Sequence, residues 1–533
     1  MQFASIRERL QAVIAEQMKA ENIPGLALAL TDRTQTLWVT THGYADLATK
    51  KPVAEDTRFA IGSIGKSFTS IALLQEHEAG RLDLDQPVTR YLPWFKVGSH
   101  YEPITIHHLL SHTSGLRSAL DFATSDWPHV FALREIEVVA TPGERFCYSN
   151  DGYKTLGLVQ RAITGRSYAE VVRSRILEPL GMHHSDPAIT NKTRKHLAVG
   201  HVPFYDDRPS RRDEGLVAAN WFETDTADGC LACSVGDLAI YLRMLLNRGR
   251  GPHGPILSEA SFAKMSSRVI EGNGGDWWYG YGLSTEVEDA HTIIGHNGGM
   301  PGFVSAMTGD MRAGIGVVVL ANAVADLDPI AEYARRLLRA AVSDGSFPEA
   351  PRISDQTVVE NASDYEGTYV GDADSFELRA KDQQLLMQWI GEKLILEQRG
   401  SDAFLVPHDD FALFLLRFER QAEKVIAASY GAAFYVNAHH KQTWSTSTAP
   451  DSWSTYVGHY RSFTPWLSNF RVIVRRGSMF LVFPAGWEAQ LTPVGDARFR
   501  LEDGDEIRFG SIVDGLAIEA TLVTAKYYRV HTP

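Results

Sequence analysis

The sequence predicts an α+β fold followed by two small antiparallel β-barrels, and two observations lead to this prediction. In residues 1–345 a strand pair, a helical middle and a second group of strands follow one another. This order suits one α+β domain whose sheet is completed by both ends of the segment. Beyond the Ser-, Asp-, Gly- and Pro-rich stretch Ser343–Pro351, the pattern is almost entirely short alternating strands. One larger β domain is the alternative for this second half.

The elements of the α+β segment follow from the spacing of its apolar residues. Apolar side chains recur at helical spacing in the first twenty residues, and Asn22–Gly25 ends that helix. Gly25–Leu30 and Thr36–Thr41 predict a hairpin, and residues 63–79 predict a helix capped by Gly80. Strands return near residue 300, before a last amphipathic helix. Its apolar face is formed by Ile330, Tyr333, Ala334, Leu337, Leu338 and Ala341.

The β-rich half contains an internal repeat. The segment Tyr365–Tyr369 (Tyr-Glu-Gly-Thr-Tyr) matches Tyr456–Tyr460 (Tyr-Val-Gly-His-Tyr), and Phe434–Val436 matches Tyr528–Val530. A repeat of this length predicts two similar antiparallel barrels of about eight strands each. We therefore expect three domains, which span residues 1–345, 352–440 and 452–533.

Composition excludes several classes of function. The 533 residues carry 52 Lys and Arg against 65 Asp and Glu, a formal charge of −13, so the chain lacks the basic surface that nucleic acid requires. Apolar runs such as Gly316–Ala321 are far shorter than the roughly 18 residues of a membrane span. No charged-then-apolar leader opens the chain. We therefore expect a cytoplasmic protein without nucleic-acid or membrane partners.

The three cysteines suit a reducing compartment and no disulfide framework. Cys230 and Cys233 form a C-x-x-C, which we interpret as two small core residues because no thioredoxin-like βαβ unit surrounds it. The histidines His107, His108 and His112 are interpreted as helix-packing or surface residues. No Cys/His/Asp set has the spacing of a zinc site, so we expect neither a metal nor another cofactor.

Ser63 and Lys66 give the strongest local signal. If they belonged to a phosphate-binding loop, Gly65-Lys66-Ser67 would end a G-x-x-x-x-G-K-[ST] motif, but Ala60 stands where that motif needs glycine. In an S-x-x-K at a helix start, positions i and i+3 share one helix face, so the lysine nitrogen can reach the serine hydroxyl. A serine hydroxyl becomes a strong nucleophile when a neighbouring base takes its proton. We favour this second interpretation.

Two further motifs follow in order: Tyr148-Ser149-Asn150, then His296-Asn297-Gly298 with Gly299 behind it. Together with S-x-x-K, this ordered set resembles the penicillin-recognising serine hydrolases, namely class C β-lactamases, DD-peptidases, D-aminopeptidases and related esterases. The resemblance covers residues 5–342. Its flanking matches are Ile104–Leu116, Pro142–Phe146, Leu180–Met182 and Tyr279–Leu283. It implies a β-lactamase-like domain, with helices on both sides of an antiparallel sheet plus an all-helical region, ahead of lipocalin-like barrels.

The resemblance also implies a role for each motif residue. Ser63 is the nucleophile that becomes acylated, and Lys66 helps to deprotonate it. Tyr148 occupies the position of a phenol that passes the proton to the leaving group and activates water for deacylation. Asn150 orients the substrate amide and hydrogen-bonds Lys66. The backbone N–H groups of Ser63 and Gly299 form an oxyanion hole.

The third motif departs from the lysine form of the family. Gly298 and Gly299 let the strand backbone approach the substrate closely. Where the lysine form has a permanent cation, this chain has His296. The ordinary pKa of an imidazole is about 6.5, so the ring is mostly neutral at pH 7. A neutral ring holds a carboxylate poorly, which argues against β-lactams and peptides ending in free D-alanine. The histidine form looks like that of D-aminopeptidases and esterase-like relatives.

The two barrels also resemble those of D-stereospecific aminopeptidases. In those enzymes a loop of the last barrel enters the active site and selects a free amino group. Pro484–Glu488 is a candidate for that loop, with Glu488 as partner of a substrate ammonium, although a surface hairpin turn is the alternative. Asp228 is a second candidate for an amine-facing carboxylate.

Three hypotheses result. The first is a serine hydrolase that cleaves small amides or peptides with a free N-terminus, as a (D-)aminopeptidase does. The second is an esterase or β-lactamase-like enzyme on the same site. The third, a non-catalytic binding protein, is disfavoured because all motif residues are present. The expected partner is a small molecule or short peptide, and a homodimer is compatible with the sequence.

Overall fold

The computed structural model describes residues 2–98, 103–118, 123–353, 355–439, 449–502 and 504–531. It divides the chain into two compact units. The first contains Met1–Val202 and Val217–Ile353, and the second contains Pro203–Leu216 and Ser354–Pro533.

The first unit is built on a nine-stranded antiparallel sheet that joins its two ends, as predicted. Leu26 pairs with Ala321 and Asp32 with Ile315, so the first strand of this unit lies beside the last strand of the same unit. In spatial order the strands are Ile270–Glu271, Trp277–Tyr279, Ser284–Glu288, His291–Met300, Phe303–Asp310, Ile315–Ala321, Gly25–Asp32, Thr36–Asp46 and Lys51–Pro52.

Both faces of this sheet are covered. Leu28 and Val317 lie on one face, in a core that the first and last helices of the unit share. Ala29 and Val318 point to the other face, against a larger core with the remaining helices. Two buried faces explain why these central strands are apolar without alternation. The α-helices are Gln2–Ala20, Gly65–Glu78, Ile106–Leu110, Asp126–Ala132, Asn150–Thr164, Tyr168–Val172, Glu178–Leu180, Val235–Leu246, Glu259–Met265 and Asp328–Val342.

Shorter elements complete the first unit. A three-stranded sheet pairs Phe59–Ala60 with Ala232–Cys233 and the latter with Ser185–Asp186. The remaining short strands are His201–Pro203 with Leu216–Ala218 at the boundary of the unit, and Arg250–Gly251 with Gly254–Pro255. The 3₁₀ turns are Gly62–Ile64, Val88–Arg90 and Leu133–Glu135, and Arg173–Leu177 is a π-helical turn.

Cys230 and Cys233 are buried free thiols of this core, as the sequence analysis expected. Burial raises the pKa of each thiol to about 12, so both are protonated. Neither thiol is therefore a nucleophile at neutral pH.

The second unit contains two antiparallel β structures in succession. The first is a near-closed sheet of nine strands around its own core. In spatial order its strands are Glu392–Ile395, Gln384–Trp389, Ser375–Lys381, Gly367–Val370, Ala433–Asn437, Lys424–Tyr430, Leu416–Gln421, Ala403–Leu405 and Glu397–Gly400. The second is a closed barrel. Its strands are Gly458–Arg461, Asn469–Arg475, Ser478–Val482, Glu488–Gly495, Arg498–Arg500, Glu506–Val513, Leu516–Leu522 and Ala525–Val530.

The repeated Tyr-x-x-x-Tyr segments adopt the same local structure. The Tyr369 hydroxyl donates to the Tyr365 carbonyl at 2.9 Å, and the Tyr460 hydroxyl donates to the Tyr456 carbonyl at 2.8 Å. The short 3₁₀ turns Ala362–Tyr365 and Asp451–Thr455 precede the two first strands. Matching tyrosines in the two sheets thus close the same turn, which explains the spacing seen in the sequence.

Candidate active site

Ser63 and Lys66 lie at the start of a buried helix. Ser63 belongs to the 3₁₀ turn Gly62–Ile64, which runs directly into the α-helix Gly65–Glu78. Lys66 is fully buried, and its Nζ donates to the Ser63 Oγ at 2.9 Å. The predicted helix over 63–79 is therefore correct except for its first turn. That turn is a 3₁₀ segment, and in it Gly62 has a left-handed φ of +52° with the Gly299 backbone against it.

Two more acceptors hold the Lys66 nitrogen. Nζ donates to Asn150 Oδ1 at 2.6 Å and to the Asp228 carbonyl at 2.8 Å. An ammonium group has three N–H donors, and Ser63 takes the third. Each donor of Lys66 is thus matched to one acceptor, so the nitrogen has a single position beside the serine.

Tyr148 precedes the helix Asn150–Thr164, whose N-cap is Ser149. Its ring centroid lies 4.8 Å from Lys66 Nζ, and the side chain is 37% exposed. The structure therefore brings together Ser63 and Lys66 with Tyr148 and Asn150, from two separate places in the sequence. Tyr148 is the member of this set that reaches the surface.

His112 supports the Tyr148 segment, which the sequence analysis did not anticipate. The Ser149 N–H donates to His112 Nδ1 at 3.0 Å, and the His112 ring lies 4.2 Å from the Tyr148 ring. Burial, together with the positive charge of Lys66, holds the pKa of His112 well below its ordinary value. The ring is therefore neutral, with its proton on Nε2. Ser111 and Thr113 flank it in the sequence, so no local apolar pattern predicted its burial.

The third motif, His296-Asn297-Gly298 with Gly299, lies against the segment Ile61–Gly62, and glycines make this close backbone contact possible. A Cβ on Gly298 would lie 1.9 Å from the Ile61 carbonyl oxygen, and a Cβ on Gly62 would lie 2.5 Å from the Gly299 nitrogen. Only glycine permits this approach. Gly299 is therefore adjacent to the turn that carries Ser63, as the predicted pair of backbone donors requires.

His296 lies on the same strand and is held in one tautomer. Its Nδ1 is 2.5 Å from the Asn297 carbonyl, which can only accept, so Nδ1 carries the proton. Nε2 then accepts from the Tyr279 hydroxyl at 3.0 Å. Burial and the Lys66 charge lower the pKa of His296 to about 4. The imidazole is neutral at pH 7 and presents no cation to a substrate.

Asp228 contributes its backbone to the site, whereas its carboxylate is engaged elsewhere. The carboxylate accepts from Thr226 Oγ1 at 2.5 Å and lies 3.9 Å from Lys154 Nζ. Burial alone would raise the pKa of Asp228, but the ammonium groups of Lys154 and Lys66 outweigh it and lower the pKa. Its predicted contact with a substrate amine stays a prediction.

Behind Asp228 lies a buried ionic cluster that holds the Ala227–Asp228 backbone. Lys154 pairs with Asp151 at 3.1 Å, and the Ala227 N–H donates to Asp126 Oδ1 at 3.2 Å. Burial and the charge of Asp228 raise the pKa of Asp126 well above its ordinary value. The sequence analysis missed this cluster because its members are scattered over a hundred residues.

Glu488 lies in the second unit, where two guanidinium groups face it. Arg475 is 2.6 Å away and Arg417 is 3.6 Å away, and the Glu488 side chain is only 8% exposed. A substrate ammonium would have to displace Arg475. The predicted role of Glu488 in recognising a substrate ammonium therefore stays a prediction.

A cleft of about 470 Å³ opens beside Tyr148 and His296. The aromatic side chains of Phe146, Trp277 and Tyr279 form one wall, with Phe146 in edge contact with the Trp277 ring at 5.2 Å. Cavities of this volume accommodate small molecules. Among the described residues, no cluster of His, Cys, Asp and Glu is arranged to hold a metal. Within the same ranges, every helix is too short or too polar to cross a membrane.

The chain is similar to several known proteins. The beta-lactamase family model matches residues 10–341. "Protein flp" of Staphylococcus aureus is 29% identical over 327 residues, 59% of this chain and 63% of that protein, so the match spans less than two thirds of that relative. "Penicillin-binding protein 4*" of Bacillus subtilis is 25% identical over 455 residues, which cover 80% of this chain and 96% of the relative.

Solved structures show the same fold. The octameric penicillin-binding protein homologue from Pyrococcus abyssi aligns with a TM-score of 0.60 and 26% identity, over 81% of this chain and 99% of that one. EstCE1, described as a hydrolase with promiscuous acyltransferase activity, aligns with a TM-score of 0.54 and 22% identity over 64% of this chain and 98% of its own. Because the family model covers more than half of the sequence, the chain belongs to the beta-lactamase family.

Proposed function

We propose that the protein is a serine hydrolase that forms an acyl-enzyme on Ser63 and cleaves small amides or peptides with a free N-terminus, as a (D-)aminopeptidase does. The observation that carries this proposal is the 2.9 Å contact between Ser63 Oγ and a buried Lys66 whose other acceptors are fixed. Membership of the beta-lactamase family supports the class of chemistry.

The acceptors around Lys66 define its part in acylation. In the step we propose, the Lys66 ammonium has first released one proton to solvent, and the resulting neutral amine has two N–H groups and one lone pair. Asn150 Oδ1 and the Asp228 carbonyl can only accept, so they take both N–H groups. The lone pair is then directed at the Ser63 hydroxyl and takes its proton while Oγ bonds to the substrate carbonyl carbon.

The developing oxyanion lies between the backbone N–H groups of Ser63 and Gly299 in this mechanism. The proton on Lys66 passes through the Tyr148 hydroxyl to the leaving amine, and the carbon–nitrogen bond breaks. In deacylation the route reverses. Water bonds to the ester carbon while its proton passes through the Tyr148 hydroxyl to Lys66. The bond between that carbon and Ser63 Oγ then breaks, Oγ takes the proton from Lys66, and the carboxylic acid leaves.

The alternative is an esterase or β-lactamase-like hydrolase on the same site, because the acylation machinery does not distinguish amides from esters. The low pKa of His296 favours substrates without a carboxylate. Among the substrate classes considered, we therefore expect the slowest turnover for β-lactams, which carry a carboxylate. The neutral imidazole and the two C-terminal β structures together support the aminopeptidase hypothesis over a β-lactamase.

Initial rates on a chromogenic panel test the proposal: D-alanine and L-alanine p-nitroanilides, p-nitrophenyl acetate and a chromogenic cephalosporin. We expect Ser63-dependent turnover with preference for the D-alanine anilide. Turnover of the ester alone would assign the esterase function. Absence of Ser63-dependent turnover on the whole panel would reject the hydrolase proposal.

Two further proposals concern organisation. We propose that residues 1–345, 352–440 and 452–533 are the domains, which limited proteolysis with mass analysis of the fragments tests. We also propose that the chain self-associates, because a solved relative is octameric. Light scattering at several concentrations would reveal a dimer, a larger assembly or a monomer, and a monomer would contradict self-association.

A further inference from the structure

The cleft beside Tyr148 and His296 receives the leaving group if the proposed function is correct. Tyr148 is the residue that passes the proton to that group, and both Tyr148 and His296 line the cleft. Its volume of about 470 Å³ exceeds what one leaving amine or alcohol of a few atoms requires. The walls of the cleft therefore select the chemical character of the leaving group.

The charged residues of this cleft are mainly acidic. Glu286, Asp328 and Glu332 line it, and Arg335 is the one lysine or arginine among the described lining residues. Arg335 is 3% exposed and its guanidinium is hydrogen-bonded to Glu288. Its charge is therefore shared: it pairs with Glu288 and also lowers the pKa of Glu286, so it offsets part of the negative charge in the cleft.

Glu288 is strongly compensated as well. Burial would raise its pKa, but Arg335, Arg339 and Arg336 together lower the pKa of Glu288 to about 2. Arg336 is thereby engaged at 2.7 Å from Glu288, and Glu332 has only a 3.4 Å contact with the same guanidinium. Glu332 thus shares Arg336 with Glu288, and its own contact with that guanidinium is the longer of the two.

Glu286 and Asp328 have no cationic partner within the described ranges. Asp328 accepts from the Asn297 side-chain amide at 2.8 Å, which is a neutral donor. Burial raises the pKa of Glu286, and the charges of Glu332, Glu288 and Asp328 raise it further against the effect of Arg335. Burial and Asp326 raise the pKa of Asp328, although its hydrogen bond to Asn297 lowers it. Three carboxylates line the cleft beside one guanidinium, so this repulsion indicates negative charge that the protein offsets only in part.

Aromatic rings line the same cleft. The rings of Trp277 and Tyr279 each contact Phe146, with centroids 5.2 Å and 5.5 Å from its own, and the Tyr148 centroid is 6.3 Å from it. Ring faces attract ammonium groups, and aromatic cages recognise quaternary ammonium in other proteins. His296 is neutral, so it adds no repulsion.

We propose that this cleft is a leaving-group subsite for a cationic group, an ammonium or quaternary ammonium, which Glu286 and Glu332 attract and the aromatic wall contacts. The cavity, the excess of carboxylates in its lining and the rings are three separate features of one surface. A leaving group that carries a carboxylate would meet repulsion in the same place.

Binding is tested without turnover. In Ser63→Ala protein, calorimetric titration compares choline with 3,3-dimethylbutanol, which has the same shape and no charge. We expect choline to bind at least about tenfold more tightly, and this ratio to fall as ionic strength rises. Equal affinity of the two alcohols, or no choline binding at all, would overturn the subsite.

Selectivity in turnover is tested on the active protein. The ratio of kcat/KM for acetylcholine to kcat/KM for 3,3-dimethylbutyl acetate isolates the charge, since both esters form the same acetyl-enzyme. We expect the double variant Glu286→Gln, Glu332→Gln to lower this ratio about tenfold. The matched control Glu16→Gln removes an exposed carboxylate of the first helix and should leave the ratio unchanged.

The binding experiment and the turnover experiment together distinguish the proposed hydrolase function from the proposed cation subsite. Choline binding without Ser63-dependent turnover of any ester would reject the hydrolase function and keep the cation site. Turnover of both esters at one rate, with no effect of the double variant, would keep the hydrolase and reject the cation site.

Discussion

The two sides of the candidate active site differ in how completely their polar groups are paired. On the side of Ser63, each N–H of Lys66 has one acceptor, and the side chain is fully buried. On the side of His296, the cleft is open and Glu286 has no ion pair within the described residues. On the Ser63 side, the hydrogen bonds of Lys66 hold the reacting side chains in one geometry. On the His296 side, the cleft contains polar groups that a substrate can bind.

The largest expected effect comes from removing the nucleophile. Ser63→Ala deletes the oxygen that Lys66 contacts, so turnover should fall by a factor on the order of 10⁴ or more. Initial rates and mass spectrometry of the trapped acyl-enzyme measure this. Thermal unfolding serves as the control and should show a folded protein, since only one hydroxyl is lost. Turnover at the wild-type rate would show that Ser63 is not the nucleophile.

Neighbouring glycines offer a sharper test of backbone contact. Gly298→Ala places a Cβ 1.9 Å from the Ile61 carbonyl, whereas a Cβ on Gly299 meets no atom within 4 Å. We expect Gly298→Ala to lower the free energy of unfolding by about 3 kcal/mol or more and to abolish most activity. Gly299→Ala should retain wild-type stability in the same urea titration. Equal stability of the two variants would contradict the close approach of this strand to the Ser63 turn.

The sequence predicted the parts of this site that follow from local spacing. Ser63 and Lys66 are one helical turn apart, and the order of the three motifs carried the family resemblance. The resemblance also implied the contact of Asn150 with Lys66. The sequence could not predict the role of His112 or the buried pair Lys154 and Asp151, because their burial results from tertiary packing.

The same division applies to the fold. The buried strand Ile315–Ala321 and the amphipathic helix Asp328–Val342 have strong periodic signals, and both form as predicted. The close approach of Gly62 to the Gly299 backbone was not predicted, because it joins positions more than two hundred residues apart. The acidic character of the cleft was missed for the same reason, since Glu286 and Glu332 come from a strand and a helix distant in sequence.

His112 links the two sides, so its substitution should affect the position of Tyr148. His112→Phe fills the same space but leaves the Ser149 N–H without its acceptor, which costs about 1 to 3 kcal/mol of stability. We expect kcat to fall about tenfold to a hundredfold with little change in KM, because a displaced Tyr148 transfers protons poorly. His112→Asn keeps an acceptor oxygen and should restore part of kcat. If His112→Phe has normal kcat, His112 only fills space.

A permanent cation in the third motif would reverse the charge preference of the cleft. His296 is neutral at pH 7, so His296→Lys adds one positive charge beside Tyr148. We expect kcat/KM for a chromogenic cephalosporin, which carries a carboxylate, to rise about tenfold, and the preference for acetylcholine over its neutral analogue to fall. His296→Gln is the neutral control. Similar behaviour of the two variants would show that charge at this position does not decide selectivity.

The smallest expected effect is a change in the pH dependence of stability. The pKa of His296 is lowered from 6.5 to about 4 in the folded protein, so between these values the unfolded chain binds a proton that the folded one does not. Stability therefore falls as pH drops through this window. Relative to His296→Asn, the wild type should lose an extra 1 to 2 kcal/mol, approximately, between pH 7 and pH 5 in urea unfolding. His112, whose pKa is also lowered, is present in both proteins and cancels in the difference. Parallel curves for the two proteins would mean that His296 titrates alike in the folded and unfolded chain, and hence that it presents a cation to the cleft at mildly acidic pH.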